Sequence, residues 1–375
     1  MSHCKEFRAR PHNRYPPGGQ KMRSNPKRRR LLDMTHPTDF PHAPEYINMT
    51  DNTAARPPLM SDTFHPNAGP VSRRGMMGSV GLGAAGAATA SMMSSNASAA
   101  VPEDFDSMDP ETNLKTLLKI QGDLSGADVI SGFGGKAWMW VPGEANHLAF
   151  QTYGVGATRL DYQGDGVWNF YHREVLYYMD PQTGEILDTW TNPVTGRTVE
   201  VMHILNDPVN RISRVKGGFR SPPFDHEIVG DRIVFQIDVF RTKENPISRK
   251  EYPLHSQTDV YQSCELWAIS SSLSEVADPN VTSASNHTAW ARNGMWLPFM
   301  EMGNIAGHMV YHSQSFKMMN GVDGLPNYIR DYTAKHHPEY LEAPREWQGL
   351  AENENTWSYA KKIIDAKREE GQGGP

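Results

Sequence analysis

VWNFYHREVLYYMD, PQTG, EILDTWTN, PVTG and RTVEVMHILNDPVN follow one another from Val167 to Asn210, and this stretch decides the fold. Three runs rich in apolar, aromatic and β-branched residues are separated by two similar turn sequences, Asp180–Gly184 and Asn192–Gly196. Proline presets the φ angle of the second turn residue, and glycine accepts the left-handed conformation that closes the turn. Because such short turns join antiparallel neighbours, the stretch predicts a three-stranded β-meander.

Short alternating runs continue on both sides of this meander, whereas helical patterns occur only near the ends of the body. Asp109 and Pro110 predict the start of a short N-terminal helix over residues 110–120, because aspartate caps helices and proline suits their first turn. Further strands are predicted at 136–141, 147–153, 232–242, 256–270 and 307–318, and C-terminal helices at 328–336 and 355–368. Strands without intervening helices predict a mainly β protein whose antiparallel sheet closes on itself or forms a sandwich.

Charge divides the chain into two parts. Residues 1–99 contain 13 Lys and Arg against 6 Asp and Glu, whereas residues 100–375 contain 24 against 37. The acidic body argues against a nucleic-acid partner, because phosphate backbones are bound by clustered Lys and Arg. We interpret residues 1–70, which are basic and rich in Pro, Asn and His, as a disordered tail or as residues placed before the true start codon.

Residues 71–99 have the pattern of a twin-arginine signal peptide. Arg73 and Arg74 precede an uncharged run of Gly, Ala, Ser and Met that ends in the small-residue cleavage sequence 97–99. A membrane anchor needs about 20 strongly apolar residues, so we expect no stable membrane span. The leader predicts contact with the twin-arginine export machinery and a periplasmic or secreted location, with residues 100–375 as one mature domain. The sequence leaves any cofactor unknown.

The two turns and their flanks resemble the domain of unknown function 1838 family. The residues that carry the resemblance are Arg173–Val175, Tyr178–Glu185, Trp190–Pro193 and His203–Val209. It extends over roughly Leu114 to Pro338. The resemblance implies an exported bacterial protein, in agreement with the leader, and it implies no activity and no catalytic residues.

Several predicted strands carry aromatic rings and ionisable groups on one face, because residues two apart on a strand share a face. A face turned wholly to solvent would not hold so many large rings. The pattern therefore favours a closed, lipocalin-like barrel with a partly polar interior, in which aromatic walls and a few polar groups form a small-molecule pocket. The candidate ligand-binding residues are Trp168, Phe170, Arg173, Trp190, Tyr261, Trp267 and His308.

Acid–base chemistry has its own candidates, which are His172, Glu174, His203 and Asp259. A histidine titrates near neutral pH, and a neighbouring carboxylate can fix its tautomer. The sequence contains no H-E-x-x-H, C-x-x-C or G-x-S-x-G, and we predict no metal site. Cys264 is interpreted as packing rather than as a nucleophile.

Two functions fit these observations. The first is an exported protein that binds a small apolar or aromatic molecule inside the barrel. The alternative is a cofactor-independent enzyme, an isomerase, cyclase or hydrolase, that acts on such a molecule by acid–base chemistry.

Overall fold

The structure, a computed structural model, describes residues 101–216 and 222–371. The predicted tail and signal peptide therefore lie outside the described residues. The helices are α1 (Pro110–Gln121), α2 (Leu273–Ala277), α3 (Asn327–His336) and α4 (Thr356–Glu369). The strands are β1 (Val129–Trp140), β2 (His147–Gly164), β3 (Val167–Met179), β4 (Thr189–Thr191), β5 (Thr198–Glu200), β6 (Ile204–Asn206), β7 (Arg211–Arg214), β8 (His226–Val229), β9 (Arg232–Glu244), β10 (Val260–Ser272), β11 (His287–Gly294) and β12 (His308–Lys317).

Within these ranges, ten strands form one antiparallel sheet, and β4 and β5 form a separate pair. The order in the large sheet is β6-β3-β2-β1-β12-β11-β10-β9-β8, and β7 also pairs with β3. The prediction of a mainly β protein with an antiparallel sheet is confirmed. None of the helices in the described part of the chain is both long enough and apolar enough to cross a membrane.

The predicted closed barrel is not confirmed, because the sheet keeps two edges among the described residues. β6 and β7 lie at one edge and β8 at the other, and no strand pairing joins them. These edge strands have only three or four residues each, so they offer little backbone for a closing ladder.

Helix α1 reaches both edges of the sheet. Its Gln121 side chain accepts a hydrogen bond from Arg211 of β7. At its other end, Asn113 accepts a hydrogen bond from the Phe224 N–H at 2.7 Å and donates one to the Phe224 carbonyl, just before β8. Side chains of a helix thus connect the two edges that strand pairing leaves apart.

Strong curvature makes one face of the sheet concave. Strands β3 and β12 are separated by β2 and β1, so in a flat sheet they would lie about 14 Å apart at roughly 4.8 Å per strand. The hydroxyl groups of Tyr178 on β3 and Tyr311 on β12 are nevertheless only 3.3 Å apart and share a hydrogen bond. Their rings therefore converge inside the curl, and we call this side the concave face.

The predicted meander is present only in part. Both turns form, with Gly184 and Gly196 at φ angles of 74° and 70°. The run after the first turn makes a single bridge, from Met179 to Ile186, and then leaves the large sheet to form the β4–β5 pair. The chain returns as β6, which pairs with β3. Packing explains the departure, because Val199 of β5 is buried in a hydrophobic cluster at one end of the curl.

Strand β1 begins at Val129 rather than at the predicted residue 136, and it therefore includes the glycines at 132, 134 and 135. A Cβ at Gly135 would overlap the His312 carbonyl and Ser313 on β12, and one at Gly154 would overlap the Phe133 ring. Glycine at these positions therefore allows the close approaches that the curl requires.

The long strand β9 has a partly open edge. It pairs with β10 along its whole length, whereas β8 pairs only with Arg232–Phe235. Residues 236–244 therefore have a strand partner on one side only within the described part of the chain.

Candidate functional site

Aromatic and polar side chains form a continuous row across the concave face. Each residue of the row is the direct cross-strand partner of the next, from β3 through β2, β1, β12 and β11 to β10. The row consists of Tyr178, Thr152, Gly135, Ser313, Trp290 and Trp267. The Trp290 and Trp267 rings are tilted against each other with centroids 5.6 Å apart, and both indoles are only half-buried. The row thus presents apolar rings beside hydroxyl groups.

Five buried polar atoms on the part of this face formed by β2, β10, β11 and β12 have no hydrogen-bond partner among the described residues. Buried polar atoms are otherwise almost always hydrogen-bonded in folded proteins. The five atoms come from four different strands and lie on the same face of the sheet. They are Thr152 Oγ1, Ser263 Oγ, Ser313 Oγ, Trp290 Nε1 and Arg292 Nε.

Arg292 is a buried charge of this face, with 9 % of its surface exposed. Its Nη2 donates a hydrogen bond to the Tyr261 hydroxyl at 3.0 Å, and its guanidinium carbon lies 5.6 Å from the centroid of the Trp357 ring. Burial lowers the pKa of Arg292, but the nearby Tyr261 and Glu265 outweigh it and raise the pKa above its ordinary value. The guanidinium is therefore charged, and within the described residues no carboxylate forms an ion pair with it.

His172 and Glu174 lie side by side on β3, as the sequence predicted for neighbours on one face. His172 Nε2 lies 3.6 Å from Glu174 Oε2, and its Nδ1 is hydrogen-bonded to the Thr158 hydroxyl at 2.9 Å. The other carboxylate oxygen of Glu174 accepts a hydrogen bond from Asn206 at 2.8 Å. Burial acts to raise the pKa of Glu174, but His172 and Asn206 outweigh it and hold the pKa below its usual value.

The other two acid–base candidates lie away from this pair. His203 accepts a hydrogen bond from the Tyr178 N–H at 3.2 Å, and Tyr178 is six residues, about 20 Å, from His172 along β3. Burial and the nearby His337 lower the pKa of His203 to about 4. Asp259 is exposed in the loop before β10, where it accepts a hydrogen bond from the Lys250 N–H. The structure therefore does not bring the four candidates together.

Two of the predicted ligand-binding residues, Tyr261 and Trp267, stand on the concave face near Arg292. Trp168 and Phe170 belong to the same face of the sheet, but they are buried in a hydrophobic cluster with helix α1. These two rings therefore form core at one end of the curl.

The remaining predicted ligand-binding residues lie elsewhere. Trp190 packs on Phe150, with ring centroids 5.0 Å apart, in the cluster at the other end. Arg173 is on the opposite face of β3, where Nη1 donates to the Glu339 carbonyl and Nε lies 3.3 Å from Asp207 Oδ2. His308 is on the opposite face of β12, beside the Trp140 ring.

Sequence reasoning missed Trp290 and Arg292 because it did not recognise β11 as a strand. The segment HTAWARNG contains alanine and polar residues in place of the usual β-branched ones. The signal that could have found them is the spacing of Trp290 and Arg292, which are two apart and so share a face.

No group of three His, Cys, Asp or Glu side chains is arranged to hold a metal ion in the part of the chain that the structure describes. His308 and His312, which have the spacing of ligands on a helix, lie on strand β12 instead.

Comparisons with known proteins bear on the identity of this chain. The search of curated proteins finds no match. The profile of a family described as "Protein of unknown function (DUF1838)" matches residues 126–364, which include all twelve strands and most of α4. The resemblance seen in the two turns is thereby confirmed over more than half of the sequence, and the chain belongs to the DUF1838 family.

Proposed function

We propose that the concave face binds a small, largely aromatic or apolar molecule, and that this protein is an exported binding protein. The observation that carries the proposal is the set of five unpartnered polar atoms on a face that also holds half-buried indole rings. Ligand pockets combine apolar walls with a few polar groups that orient the ligand. Polar atoms that the protein does not satisfy are the groups that a ligand can satisfy.

Two features favour binding over acid–base catalysis. The pKa of Glu174 lies below its usual value, so its carboxylate is a weak base at neutral pH. Both ring nitrogens of His172 already have neighbours within the protein, Thr158 and Glu174. The enzyme alternative would need a residue free to accept a substrate proton, and these two residues do not offer one.

Export is the second part of the proposal. It rests on the paired arginines and the small-residue run in residues 71–99 of the sequence. An exported protein made of residues 100–375 would bind its ligand in the periplasm or outside the cell.

Native mass spectrometry of the exported protein purified from the periplasm tests the proposal. We expect a small molecule to travel with the wild-type protein. Trp290→Phe removes an unpartnered donor from the concave face and should reduce this occupancy. Trp140→Phe changes an exposed tryptophan on the opposite face and serves as the matched control. A wild-type protein that carries nothing and binds no aromatic probe would contradict the proposal.

A further inference from the structure

A small cradle surrounds Gly294 at the end of β11. The position that a Cβ atom would take at this glycine is 3.5 Å from Arg292 Nε, 3.6 Å from Arg292 Nη2 and 3.6 Å from Ser263 Cβ. Arg292 and Ser263 are more than nine-tenths buried. The Nε of the first and the hydroxyl of the second are both unpartnered among the described residues. The missing side chain of Gly294 thus leaves atom-sized room between two polar groups that lack partners.

The chemistry of this cradle calls for an anionic oxygen. A guanidinium N–H can only donate, and a hydroxyl can donate as well as accept. A buried charge is costly unless an opposite charge or strong hydrogen bonds compensate it. Arg292 makes one hydrogen bond, to Tyr261, and no ion pair in the described ranges. Carboxylates and phosphates both match the planar donor geometry of arginine.

Other charged groups of the concave face limit how many anions can enter. Glu265 is the direct cross-strand neighbour of Arg292, and Glu174 faces it across the curl. These two carboxylates would repel a ligand with several negative charges. A ligand with a single carboxylate would meet less of this repulsion.

We propose that Arg292, Ser263 and Gly294 form a subsite for the carboxylate of an aromatic monocarboxylic acid. This inference rests on the proposed function, because it names the ligand class of the same concave face. The ring of the acid packs on the indoles, and its carboxylate accepts hydrogen bonds from Arg292 Nε and the Ser263 hydroxyl.

A matched pair of probes tests the subsite with the full chain. 2-Naphthoate carries the carboxylate, and 2-naphthamide has the same ring and nearly the same shape without the charge. Titration calorimetry should give at least about tenfold tighter binding for naphthoate, because hydrogen bonds to charged groups are the stronger kind. Arg292→Gln should remove this preference. Arg249→Gln, at an exposed arginine in the loop before β10, should keep it.

Gly294→Ala gives a second variant that does not depend on removing a buried charge. Its new methyl group would make only ordinary van der Waals contacts at 3.5–3.6 Å, and Gly294 does not have a positive φ angle, so the variant should fold. The methyl group would occupy the cradle and weaken naphthoate binding about tenfold, as loss of one charge-assisted hydrogen bond does. Naphthamide makes only neutral hydrogen bonds there and should lose less affinity, so its difference from naphthoate should shrink.

Two outcomes separate this inference from the proposed function. If naphthamide binds as tightly as naphthoate, or if both variants keep the preference, the carboxylate subsite is wrong while the binding face stands. If neither probe binds, the inference and the proposed binding function both fail.

Discussion

At the scale of single residues, the sheet holds two buried cations whose surroundings differ. Lys317 of β12 is as buried as Arg292, but its ammonium group donates three hydrogen bonds, to the Lys119 carbonyl, the Gly122 carbonyl and the Ser283 hydroxyl, at 2.7–3.0 Å. Burial lowers the pKa of Lys317 to about 8. All three N–H donors of Lys317 are therefore used at the C-terminal end of α1, and the residue has a structural role. Arg292, by contrast, has a donor, Nε, that has no partner among the described residues.

His203 gives a prediction at the residue scale, because burial lowers its pKa from 6.5 to about 4. Between these two pH values the unfolded chain binds a proton that the folded protein does not, so the stability contributed by neutral His203 is lost as pH falls. On going from pH 7 to pH 4.5 the wild type should lose about 2 kcal/mol more than His203→Gln. Urea unfolding of both proteins at the two pH values measures this difference. Equal losses would show that His203 titrates normally in the folded state.

At the scale of elements, α1 joins the two halves of the curled sheet through separate sides of the helix. Leu114 and Leu118 pack with Trp168 and Phe170 of β3, whereas Leu117 and Ile120 pack with residues of β9 and β10. Asp109 caps the helix by accepting hydrogen bonds from the backbone of Glu111 and Thr112. The helix therefore replaces part of the missing strand contact between the edges.

Leu118 tests this role of α1, because it is only 1 % exposed. Leu118→Ala should cost about 2–5 kcal/mol of unfolding free energy, since it leaves a cavity between helix and sheet. Leu350→Ala, at a leucine that is 49 % exposed, should change stability by less than about 0.5 kcal/mol. Urea denaturation compares the two. Similar small effects would mean that α1 packs loosely on the sheet.

The elements also show which features a sequence can predict. Helix α1 and strands β3, β9 and β12 were predicted within a few residues, because caps, turns and alternation are local properties. Strand β11 was missed because most of its residues are small or polar and gain their strand conformation from pairing with β10 and β12. Of the candidate site, His172 with Glu174 followed from spacing along one strand. The cradle at Gly294 could not follow, since it depends on contacts between β10 and β11.

At the scale of the whole molecule, helices take the place that strand pairing would have in a closed barrel. Helix α4 contacts both sides of the gap: the Glu354 N–H just before it donates to the Pro208 carbonyl, and the Tyr252 hydroxyl donates to its Asp365 at 2.7 Å. The sequence predicted closure because alternating strands look the same whether their sheet closes or not. The short edge strands and the two bridging helices are the features that distinguish this open sheet from a closed barrel.

Trp357 of α4 tests how far the molecule depends on this bridge. Its ring is 3 % exposed and meets Tyr261 edge-on at 4.8 Å. Trp357→Ala should cost about 3–5 kcal/mol, because it removes a large buried ring. Trp140→Ala, at a tryptophan that is 52 % exposed, should cost less than about 1 kcal/mol. Thermal and urea unfolding both measure the loss. A loss of less than about 1 kcal/mol for Trp357→Ala would indicate that the contact of α4 across the two sheet edges contributes little to stability.

The half-open strand β9 has a consequence for solubility. An unpaired strand edge is a template on which another polypeptide can add, and this is one route to aggregation. From Asp238 to Glu244 the edge carries charged side chains of both signs, and Arg241 to Glu244 are exposed. A second molecule approaching this edge would have to desolvate those charges. The cost of removing water from these charges disfavours edge-to-edge pairing of two molecules.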